Sequence, residues 1–382
     1  MKRILIMFIC LLFAQNLFGQ TSWTTSSAGI VSGFRVNGIT VLQSKMYAVG
    51  SKTNIATIYQ SSNNGSTWTV LTTTGLENAS YDYKAICTVG NALLLSARDG
   101  VGNPLVFKSI DYGSTWTLSD TGLSGFAVDY LTATTSGIVF ASKSGGTDIY
   151  KSSNSGGSWS LVTTTGFTAG TTLGAICAHG NDLYLSGWGD FMNIYIVYKS
   201  TDNGSSWVRS SSGISINFTV YGYASSSVGI YATGYDVPSN GLAGMYLSTD
   251  NGASWTLVTM TGLGGYDYFF QAMCAIGSDL VLSTVNWSDA YMIFRSTITT
   301  PVINGREVVD VNVFPNPAKD VITINPDNLG KEYQVLICDL TGNTVLTSAN
   351  ESTIDISSLK NGMYVVKVID DTKTGVTRIV KQ

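Results

Sequence analysis

Charged side chains are scarce in this sequence. Asp, Glu, Lys and Arg together make up 12% of its 382 residues, whereas an average soluble protein has about 25%. The net charge is −4, and the 21 Lys and Arg residues form no basic run. Because binding to a phosphate backbone depends on clustered cations, we predict no nucleic-acid partner.

Histidine and cysteine are too few for the usual metal and redox chemistry. His179 is the only histidine, so a His-based triad or a zinc site lacks parts, and we predict no metal and no other cofactor. Cys87, Cys177 and Cys274 occupy one equivalent position in three repeats, "AIC", "AIC" and "AMC". Equivalent positions of separate repeats usually lie beyond the roughly 7 Å limit for a disulfide, so we interpret these thiols as small buried hydrophobes.

Long hydrophobic runs are missing beyond the N-terminus. Lys2 and Arg3 precede an apolar stretch at residues 4–14, which is too short to cross a bilayer as a helix. A basic start, a short apolar core and a small residue near its end are typical of a secretory signal peptide. We predict a signal peptide at residues 1–19, cleaved after Gly19, and no transmembrane segment after it.

A repeated tryptophan motif dominates the rest of the chain. "SSNNGSTW" at 61–68 recurs as "SIDYGSTW" at 109–116, "SSNSGGSW" at 152–159, "STDNGSSW" at 200–207 and "STDNGASW" at 248–255. Each repeat also contains four short strand-like runs, and the motif lies between the last two of them. Four strands in a repeat of about 40–50 residues are typical of a β-propeller blade.

The motif resembles the Asp-box, the repeat of bacterial neuraminidases, with the pattern Ser-x-Asp-x-Gly-x-Thr-Trp. In such a hairpin, Asn or Asp accepts hydrogen bonds from turn amides and glycine tolerates a positive φ. The resemblance implies a structural element rather than a catalytic one, with the tryptophan packed between blades. The residues to which it assigns this role are Asn63, Trp68, Asp111, Trp116, Asn154, Trp159, Asp202, Trp207, Asp250 and Trp255.

The number of repeats predicts six blades. Five motifs are complete, whereas the sixth repeat stops after a third strand near residue 300. The segment "TSWTTSS" at 21–27 has the pattern of an isolated fourth strand, and a ring closes well when its first and last strands share one blade. We therefore predict an all-β chain with a six-bladed propeller at residues 20–300, and we expect a monomer.

The tail after Pro301 has a different pattern. Beyond a linker at residues 301–309, alternating strands with Gly-containing turns predict a small β-sandwich at residues 310–382. Its motifs "FPNP" at 314–317, "LKNGMY" at 359–364 and the terminal "RIVKQ" resemble the type A sorting domain of type IX (Por) secretion. This resemblance implies that the secretion machinery is a partner. It also implies export through the periplasm, followed by release or attachment at the outer-membrane surface.

Strand order places one set of loops on the face opposite the hairpins, where Asp-box propellers bind their ligands. Aromatic rings beside carboxylates suit sugars, because rings stack on C–H faces while carboxylates bind hydroxyls; the alternative is that the aromatic residues cap the core. The ligand-binding candidates on this face are Arg35, Tyr81, Asp82, Tyr83, Arg98, Asp99, Trp188, Asp190, Tyr235, Asp236, Asp267, Tyr268, Trp287 and Asp289.

Catalysis has weaker support in the sequence. "GFRVN" resembles the Phe-Arg-Ile-Pro motif of sialidases, which implies that Arg35 would be the first arginine of a carboxylate-binding triad. Arg209 follows a hairpin tryptophan on an outer strand and is wrongly placed for that triad, and Glu77 is the only glutamate of the repeats. Nothing selects a carboxylate pair for hydrolysis. We predict a glycan-binding or adhesion module, and the alternative is a glycoside hydrolase with its site on the same face.

Overall fold

The computed structural model describes residues 21–53, 55–76, 81–123, 125–189, 194–236, 242–263, 268–276, 279–286, 291–298, 307–308, 311–325, 332–339, 344–370 and 373–382. Within these ranges the chain forms strands and turns and no helix. Consistently, no helix in the described part of the chain could cross a membrane. The chain divides into two compact units, one spanning Thr21–Thr297 and the other containing Ile298–Gln382.

Most of the first unit consists of four-stranded antiparallel sheets. Strand β1 (Thr21–Thr25) opens the unit, and five sheets follow in which the strands lie in chain order. Sheet I contains β2 (Arg35–Leu42), β3 (Lys45–Lys52), β4 (Ile55–Ser61) and β5 (Thr69–Val70), and sheet II contains β6 (Asp82–Val89), β7 (Ala92–Arg98), β8 (Pro104–Ser109) and β9 (Thr117–Leu118). Sheet III contains β10 (Tyr130–Ala133), β11 (Val139–Ser142), β12 (Ile149–Ser152) and β13 (Ser160–Leu161), and sheet IV contains β14 (Thr172–His179), β15 (Asp182–Gly189), β16 (Ile194–Ser200) and β17 (Val208–Arg209). Sheet V contains β18 (Phe218–Ser225), β19 (Ile230–Asp236), β20 (Leu242–Ser248) and β21 (Thr256–Leu257).

Sheet VI joins the two ends of the unit. It contains β22 (Met260–Thr261), β23 (Tyr268–Ile276), β24 (Asp279–Asn286) and β25 (Tyr291–Ile298), together with β1. The strand order is β22-β1-β25-β24-β23, and β22 pairs with β1 in parallel. The N-terminal strand that carries Trp23 therefore lies beside the last strand of the unit, where it occupies the position of a fourth strand.

The first strands of the six sheets contact one another in a closed cycle. β2 packs against β6, β6 against β10, β10 against β14, β14 against β18, β18 against β23, and β23 against β2. Hydrophobic clusters fill the space between neighbouring sheets; one of them joins Val36 and Trp68 of sheet I to Cys274 of sheet VI. These sheets resemble the blades of a β-propeller.

The five tryptophan hairpins (61–68, 109–116, 152–159, 200–207 and 248–255) share one hydrogen-bond pattern. In the second hairpin, Asp111 Oδ1 accepts hydrogen bonds from the Ser109 hydroxyl at 2.8 Å and from the Thr115 amide at 2.9 Å. The Gly113 amide donates to Ser109 Oγ at 2.9 Å. Tyr112 and Gly113 have φ values of +60° and +87°, and the left-handed glycine explains the invariant position in the motif. The first hairpin makes the same bonds with Asn63.

A second recurring contact joins each hairpin to the sheet before it. Trp159 is 6% exposed, and its amide donates to the Thr121 carbonyl at 2.8 Å. Gly122 has a φ of +95°, and a Cβ there would lie 2.1 Å from the Trp159 carbonyl oxygen, so only glycine fits. The same glycine–tryptophan pairs recur around all six sheets: Gly29–Trp68, Gly75–Trp116, Gly122–Trp159, Gly166–Trp207, Gly213–Trp255 and Gly262–Trp23.

Indole hydrogen bonds alternate between two types around the unit. Trp159 donates its Nε1–H to the carbonyl of Ser119 in the preceding sheet at 2.9 Å, and the Ser119 hydroxyl donates to the Gly156 carbonyl at 2.7 Å. Trp207 instead donates to the carbonyl of Gly204 in its own hairpin at 2.8 Å. Sheets I, III and V use the first type, with Ser26, Ser119 and Ser210, and sheets II and IV use the second.

The three cysteines at equivalent positions are buried and free, as the sequence predicts. They lie in the first strands of sheets II, IV and VI, so they follow the same alternation. Burial raises the pKa of Cys87, Cys177 and Cys274 to about 12. These thiols are therefore protonated hydrophobic side chains.

The second unit contains two sheets around one core. A five-stranded sheet has the order β26-β33-β32-β29-β30, and a three-stranded sheet has the order β27-β28-β31. Ile322, Ile354 and Val366 belong to the shared buried cluster. The strands are β26 (Glu307–Val308), β27 (Val313–Phe314), β28 (Val321–Ile324), β29 (Gln334–Cys338), β30 (Thr344–Ala349), β31 (Thr353–Asp355), β32 (Gly362–Ile369) and β33 (Lys373–Lys381).

Two of the tail motifs bind each other in this unit. Asn316, from "FPNP", donates its side-chain amide to the Arg378 carbonyl at 2.8 Å and accepts from the Val380 amide at 2.9 Å. The Ala318 amide then donates to the Val380 carbonyl at 2.8 Å. The "FPNP" motif therefore fixes the terminal strand "RIVKQ", which gives both motifs a structural reason.

Candidate functional site

The two ends of the sheets in the first unit have different surroundings. At one end, the tryptophan hairpins meet the turns between first and second strands: Tyr112 donates to Gln43 at 3.3 Å, and Asn251 donates to Asp182 at 2.8 Å. At the other end, first strands begin and second strands end. We call this second end the pocket face, because the cavities described below open there.

A pocket of about 550 Å³ lies on the pocket face and is lined by residues of sheets I, II, III, V and VI. Its charged lining consists of Arg35, Lys84, Arg98, Lys143 and Asp129. Arg35 begins β2, Arg98 ends β7, and Lys143 directly follows β11. We call this cavity the cationic pocket.

β-Bulges in the first strands direct side chains into the cationic pocket. The register shifts between Val36 and Gly38, Tyr83 and Ala85, Val220 and Gly222, and Phe270 and Ala272. A bulge inserts one unpaired residue and re-aims its side chain. The four inserted residues, Asn37, Lys84, Tyr221 and Gln271, all line the cationic pocket.

The pocket cations differ in their partners. Arg98 forms an ion pair with Asp129, with 2.6 Å between Nη2 and Oδ1, and Asp129 Oδ2 also accepts from the Ser144 amide at 3.1 Å. Lys84 forms an ion pair with Asp82. In the described part of the chain, Arg35 donates to the neutral Gln271 side chain, at 3.2 Å. Among the described residues, neither Arg35 nor Lys143 has a carboxylate partner.

A second cavity of about 290 Å³ adjoins the cationic pocket and is lined mainly by sheets III, IV and V. The Trp188 side chain, 46% exposed, stacks on Tyr195 with 6.3 Å between ring centroids and an angle of 15°. We call this cavity the aromatic groove. It shares Tyr130, Ser144 and Tyr221 with the cationic pocket, so the two cavities form one continuous surface.

Paired tyrosines support the junction between the cavities. The rings of Tyr221 and Tyr235 stack with centroids 5.2 Å apart, and their hydroxyls lie 3.1 Å apart. Tyr235 also contacts Phe269 edge to face at 5.9 Å. Burial, together with the hydrogen bond to Tyr235, raises the pKa of Tyr221, so the Tyr221 hydroxyl is a neutral hydrogen-bonding group at physiological pH.

Several of the residues predicted from the sequence lie at this surface. Arg35 and Arg98 line the cationic pocket, and Trp188 lines the aromatic groove. Asp82 forms an ion pair with Lys84, which lines the cationic pocket. Tyr235 stacks on Tyr221, which lines both cavities. The structure thus brings these five residues together around two adjoining cavities.

Two other predicted residues, Tyr83 and Tyr81, pack against side chains of the first unit. The prediction for Tyr83 is wrong: its side chain is 3% exposed and belongs to the core between sheets I and II, because β6 already begins at Asp82. Tyr81 packs on Phe107 with ring centroids 5.5 Å apart.

Two predicted carboxylates are bound by neighbouring groups of the first unit. Asp99 accepts from the Val101 and Asn103 amides of its own turn, at 3.0 and 2.7 Å. Asp236 Oδ2 accepts from the Ser215 hydroxyl at 3.2 Å. Asp190, Asp267, Trp287 and Asp289 lie outside the described residues, and for Tyr268 the structure describes only the backbone at the start of β23.

Four lining residues were not predicted from the sequence: Lys143, Tyr195, Tyr221 and Gln271. A strict alternation of inward and outward residues cannot locate the bulge residues, because each bulge shifts the alternation by one position. A signal was present, since every bulge residue precedes a glycine or alanine, in "VNG", "YKA", "VYG" and "FQA". Small residues at these positions allow the first strands of neighbouring sheets to approach closely.

The described part of the surface has limited means for acid–base catalysis. Asp129 is the only carboxylate among the described lining residues, and it is already bound by Arg98 and by the Ser144 amide. His179 lies at the opposite end of sheet IV, where Nδ1 is 2.9 Å from the Ser225 hydroxyl. No group of three or more His, Cys, Asp or Glu in the described ranges could hold a metal ion.

Comparison with known families classifies the second unit. Residues 312–382 match the secretion system C-terminal sorting domain. This match confirms the prediction made from the tail motifs. The protein is accordingly exported through the periplasm and is either secreted or attached at the outer-membrane surface.

Comparisons with individual proteins are more limited. The chain is 36% identical over 87 residues to ulvan lyase NLR42 of Nonlabens ulvanivorans, which covers 22% of this chain and spans only 16% of that enzyme. A protein of unknown function from Dyadobacter fermentans DSM 18053 has a TM-score of 0.53 at 9% identity, covering 74% of this chain and 97% of that one. The GH74 xyloglucanase of Xanthomonas campestris has a TM-score of 0.47 at 16% identity, covering 73% and 45%. At such identities the structural likeness concerns the fold alone.

Proposed function

We propose that residues 20–300 form one six-bladed Asp-box β-propeller, in which sheets I–VI are the blades. A signal peptide at 1–19 precedes it, and a linker at 301–309 leads to a sorting β-sandwich at 310–382. The closed cycle of first strands and the six glycine–tryptophan contacts support this arrangement. The shared hydrogen-bond pattern of the five hairpins supports the Asp-box assignment.

The proposed function of this exported protein is to bind a glycan or another extracellular polymer, as an adhesion or capture module. One observation carries the proposal: the cationic pocket and the aromatic groove form a continuous surface through Tyr130, Ser144 and Tyr221. An exposed indole that is already stacked on a tyrosine offers a flat platform for a sugar ring. Pre-stacked rings lose little conformational freedom when a ligand binds.

Glycoside hydrolysis is the competing function. A hydrolase needs two carboxyl groups about 5–10 Å apart, one of which holds a proton. The described lining supplies Asp129, which is held by Arg98 and by the Ser144 amide. Binding therefore fits the described surface better than hydrolysis.

A glycan array and a hydrolysis screen, run with the same full-length protein, test this proposal. Trp188→Ala should weaken glycan binding about tenfold or more, because an aromatic hot spot is worth at least about 1–2 kcal/mol. Tyr112→Ala is the matched control, since this tyrosine is 40% exposed but lies in a tryptophan hairpin at the opposite end. Cleavage of any array glycan by the wild type, or equal binding by Trp188→Ala, would refute the proposal.

A further inference from the structure

We infer that the polymer is an anionic polysaccharide, with a carboxylate or sulfate group bound in the cationic pocket and a neighbouring sugar ring on Trp188. This inference rests on the proposed function and specifies its ligand class. It starts from a contrast: the chain carries a net charge of −4, yet four cations, Arg35, Lys84, Arg98 and Lys143, converge on one pocket.

The charges of the described groups do not cancel. Asp129 neutralises Arg98 and Asp82 neutralises Lys84, so four cations face two carboxylates and two positive charges remain. The excess comes from Arg35 and Lys143, which lie on sheets I and III on either side of sheet II. Cations on different sheets that surround one concave surface create a local positive field suited to a single anionic group.

Arg35 is positioned in advance for such a group. Its Nη2 donates to Gln271 Oε1 at 3.2 Å, and Gln271 is itself a bulge residue of β23. Because this partner is neutral, it does not compensate the positive charge of the guanidinium, and it occupies only one of the N–H donors. A planar guanidinium with free donors binds carboxylate or sulfate oxygens in a fork geometry.

Lys84 is directed to the same place by the bulge in β6, and its ion pair with Asp82 occupies only part of its capacity. An ammonium group has three donors, and Asp82 lies at the exposed rim of the pair with a side chain that is 43% exposed. An incoming oxyanion can therefore share this ammonium without displacing a buried carboxylate.

The size of the charge excess favours a polysaccharide over a nucleic acid. Proteins that bind DNA or RNA neutralise many successive phosphates, on the order of 6–10 contacts. Two uncompensated charges in a pocket of about 550 Å³ match one charged sugar unit rather than a backbone track. The adjoining aromatic groove, about 290 Å³ with Trp188 exposed, then accommodates the next sugar of the chain.

The test measures binding of the full-length protein to four probes by calorimetry. These are oligogalacturonate as the carboxylate probe, dextran sulfate as the sulfate probe, dextran as the neutral probe, and a single-stranded DNA oligonucleotide. At about 50 mM NaCl, we expect at least one of the two anionic glycans to bind at least tenfold more tightly than dextran and the DNA. We expect about 250 mM NaCl to weaken this binding severalfold, because salt screens exposed charges.

Charge variants locate the site. Arg35→Gln combined with Lys143→Gln should reduce the affinity for the anionic glycan about tenfold and flatten its salt dependence. Both side chains are exposed, so the melting temperature should stay unchanged. Lys45→Gln is the control, because it removes one cation beside Tyr112 at the opposite end of sheet I. The affinity of this variant should remain within twofold of the wild type.

The outcomes separate this inference from the proposed function. If dextran binds as tightly as the anionic glycans, independently of salt, and Trp188→Ala abolishes binding, the proposed function stands and the anionic specificity is refuted. An unchanged affinity of the double variant, an equal loss in Lys45→Gln, or equally tight DNA binding also overturns the inference. If no polysaccharide binds, both statements fail.

Discussion

Replacing Trp159 by alanine should destabilise the first unit strongly. The side chain is 6% exposed and packs in a cluster with Leu94 and Val106 of sheet II and Val139 of sheet III. Truncation of a buried Trp or Phe to alanine costs about 3–5 kcal/mol, because hydrophobic contacts are lost and a cavity remains. The variant also leaves the buried Ser119 carbonyl without its indole donor.

Urea denaturation followed by far-UV circular dichroism measures this effect. With a slope of about 3 kcal/mol/M, a loss of 3–5 kcal/mol lowers the unfolding midpoint by about 1–1.7 M. Trp159→Phe separates the two contributions, because it keeps most of the ring volume and removes the N–H donor. Leaving the Ser119 carbonyl unpaired should then cost about 1–3 kcal/mol.

Trp188→Ala is the control for Trp159→Ala, since this indole is 46% exposed on the pocket face. Its free energy of unfolding should change by no more than about 0.5 kcal/mol, as for ordinary surface substitutions. At the same slope this shifts the unfolding midpoint by no more than about 0.2 M. A midpoint for Trp159→Ala within experimental scatter of the wild type would contradict the reasoning. The tryptophan hairpins would then not hold neighbouring sheets together.

Three further predictions concern closure, pH and export. Deleting residues 21–30 removes β1 from sheet VI and should lower the melting temperature far more than the loss of a frayed terminus; an unchanged melting temperature would mean that β1 does not close the unit. Hydrogen bonds from the Thr115 hydroxyl and amide lower the pKa of Asp111 to about 2, so its stabilising effect is present above about pH 4 and is lost as the pH falls towards 2. In the Asp111→Asn variant, the melting temperature should therefore depend less on pH over this range than in the wild type. The same dependence on pH in both proteins would refute this role of Asp111. Deleting residues 310–382 should leave a folded first unit in the periplasm, as cell fractionation would show, and normal surface display would refute the role of the tail.

The hairpins could be predicted from sequence because their interactions are local. In the first hairpin, Ser61, Asn63, Gly65 and Thr67 bind one another within four residues of the chain. Asn63 replaces aspartate without loss of a bond, since its Nδ2 donates to the Thr67 hydroxyl at 2.8 Å. In the second hairpin the Thr115 hydroxyl instead donates to Asp111 at 2.6 Å, so a rotating hydroxyl accommodates both residues.

The pocket could be predicted only in part, because its residues are brought together by five sheets. Arg35 and Arg98 were found because strand ends can be located from turns and hydrophobic runs. Tyr83 shows the limit of this reasoning, because the register of β6 shifts at the inserted residue Lys84. The tyrosine lies in the core, and the lysine reaches the cationic pocket.

The alternation of indole bonds follows the number of residues between each tryptophan and the glycine after it. Each segment runs from a tryptophan to the glycine that contacts the next tryptophan. Where serine stands three positions after the tryptophan, the glycine follows the tryptophan by six residues, as from Trp23 to Gly29. Where leucine or valine stands there, the glycine follows by seven residues, as from Trp68 to Gly75. In the shorter segments, the serine hydroxyl binds the glycine carbonyl of the next hairpin, and the next indole turns to the serine carbonyl.

In the longer segments an aliphatic side chain has no hydroxyl to offer, so the next indole binds its own hairpin, as Trp116 does with Gly113 at 2.8 Å. The number of residues from tryptophan to glycine, the side chain three positions after the tryptophan and the acceptor of the next indole therefore change together. A single substitution at Ser119 changes only one of these three features, so it cannot convert one type of contact into the other. All six segments follow this alternation in length and side chain, and the described indole bonds of sheets I–V follow it as well. The cationic pocket does not follow this alternation: of the corresponding bulge positions, only that of sheet II carries a lysine, so the fold itself does not require a cation there.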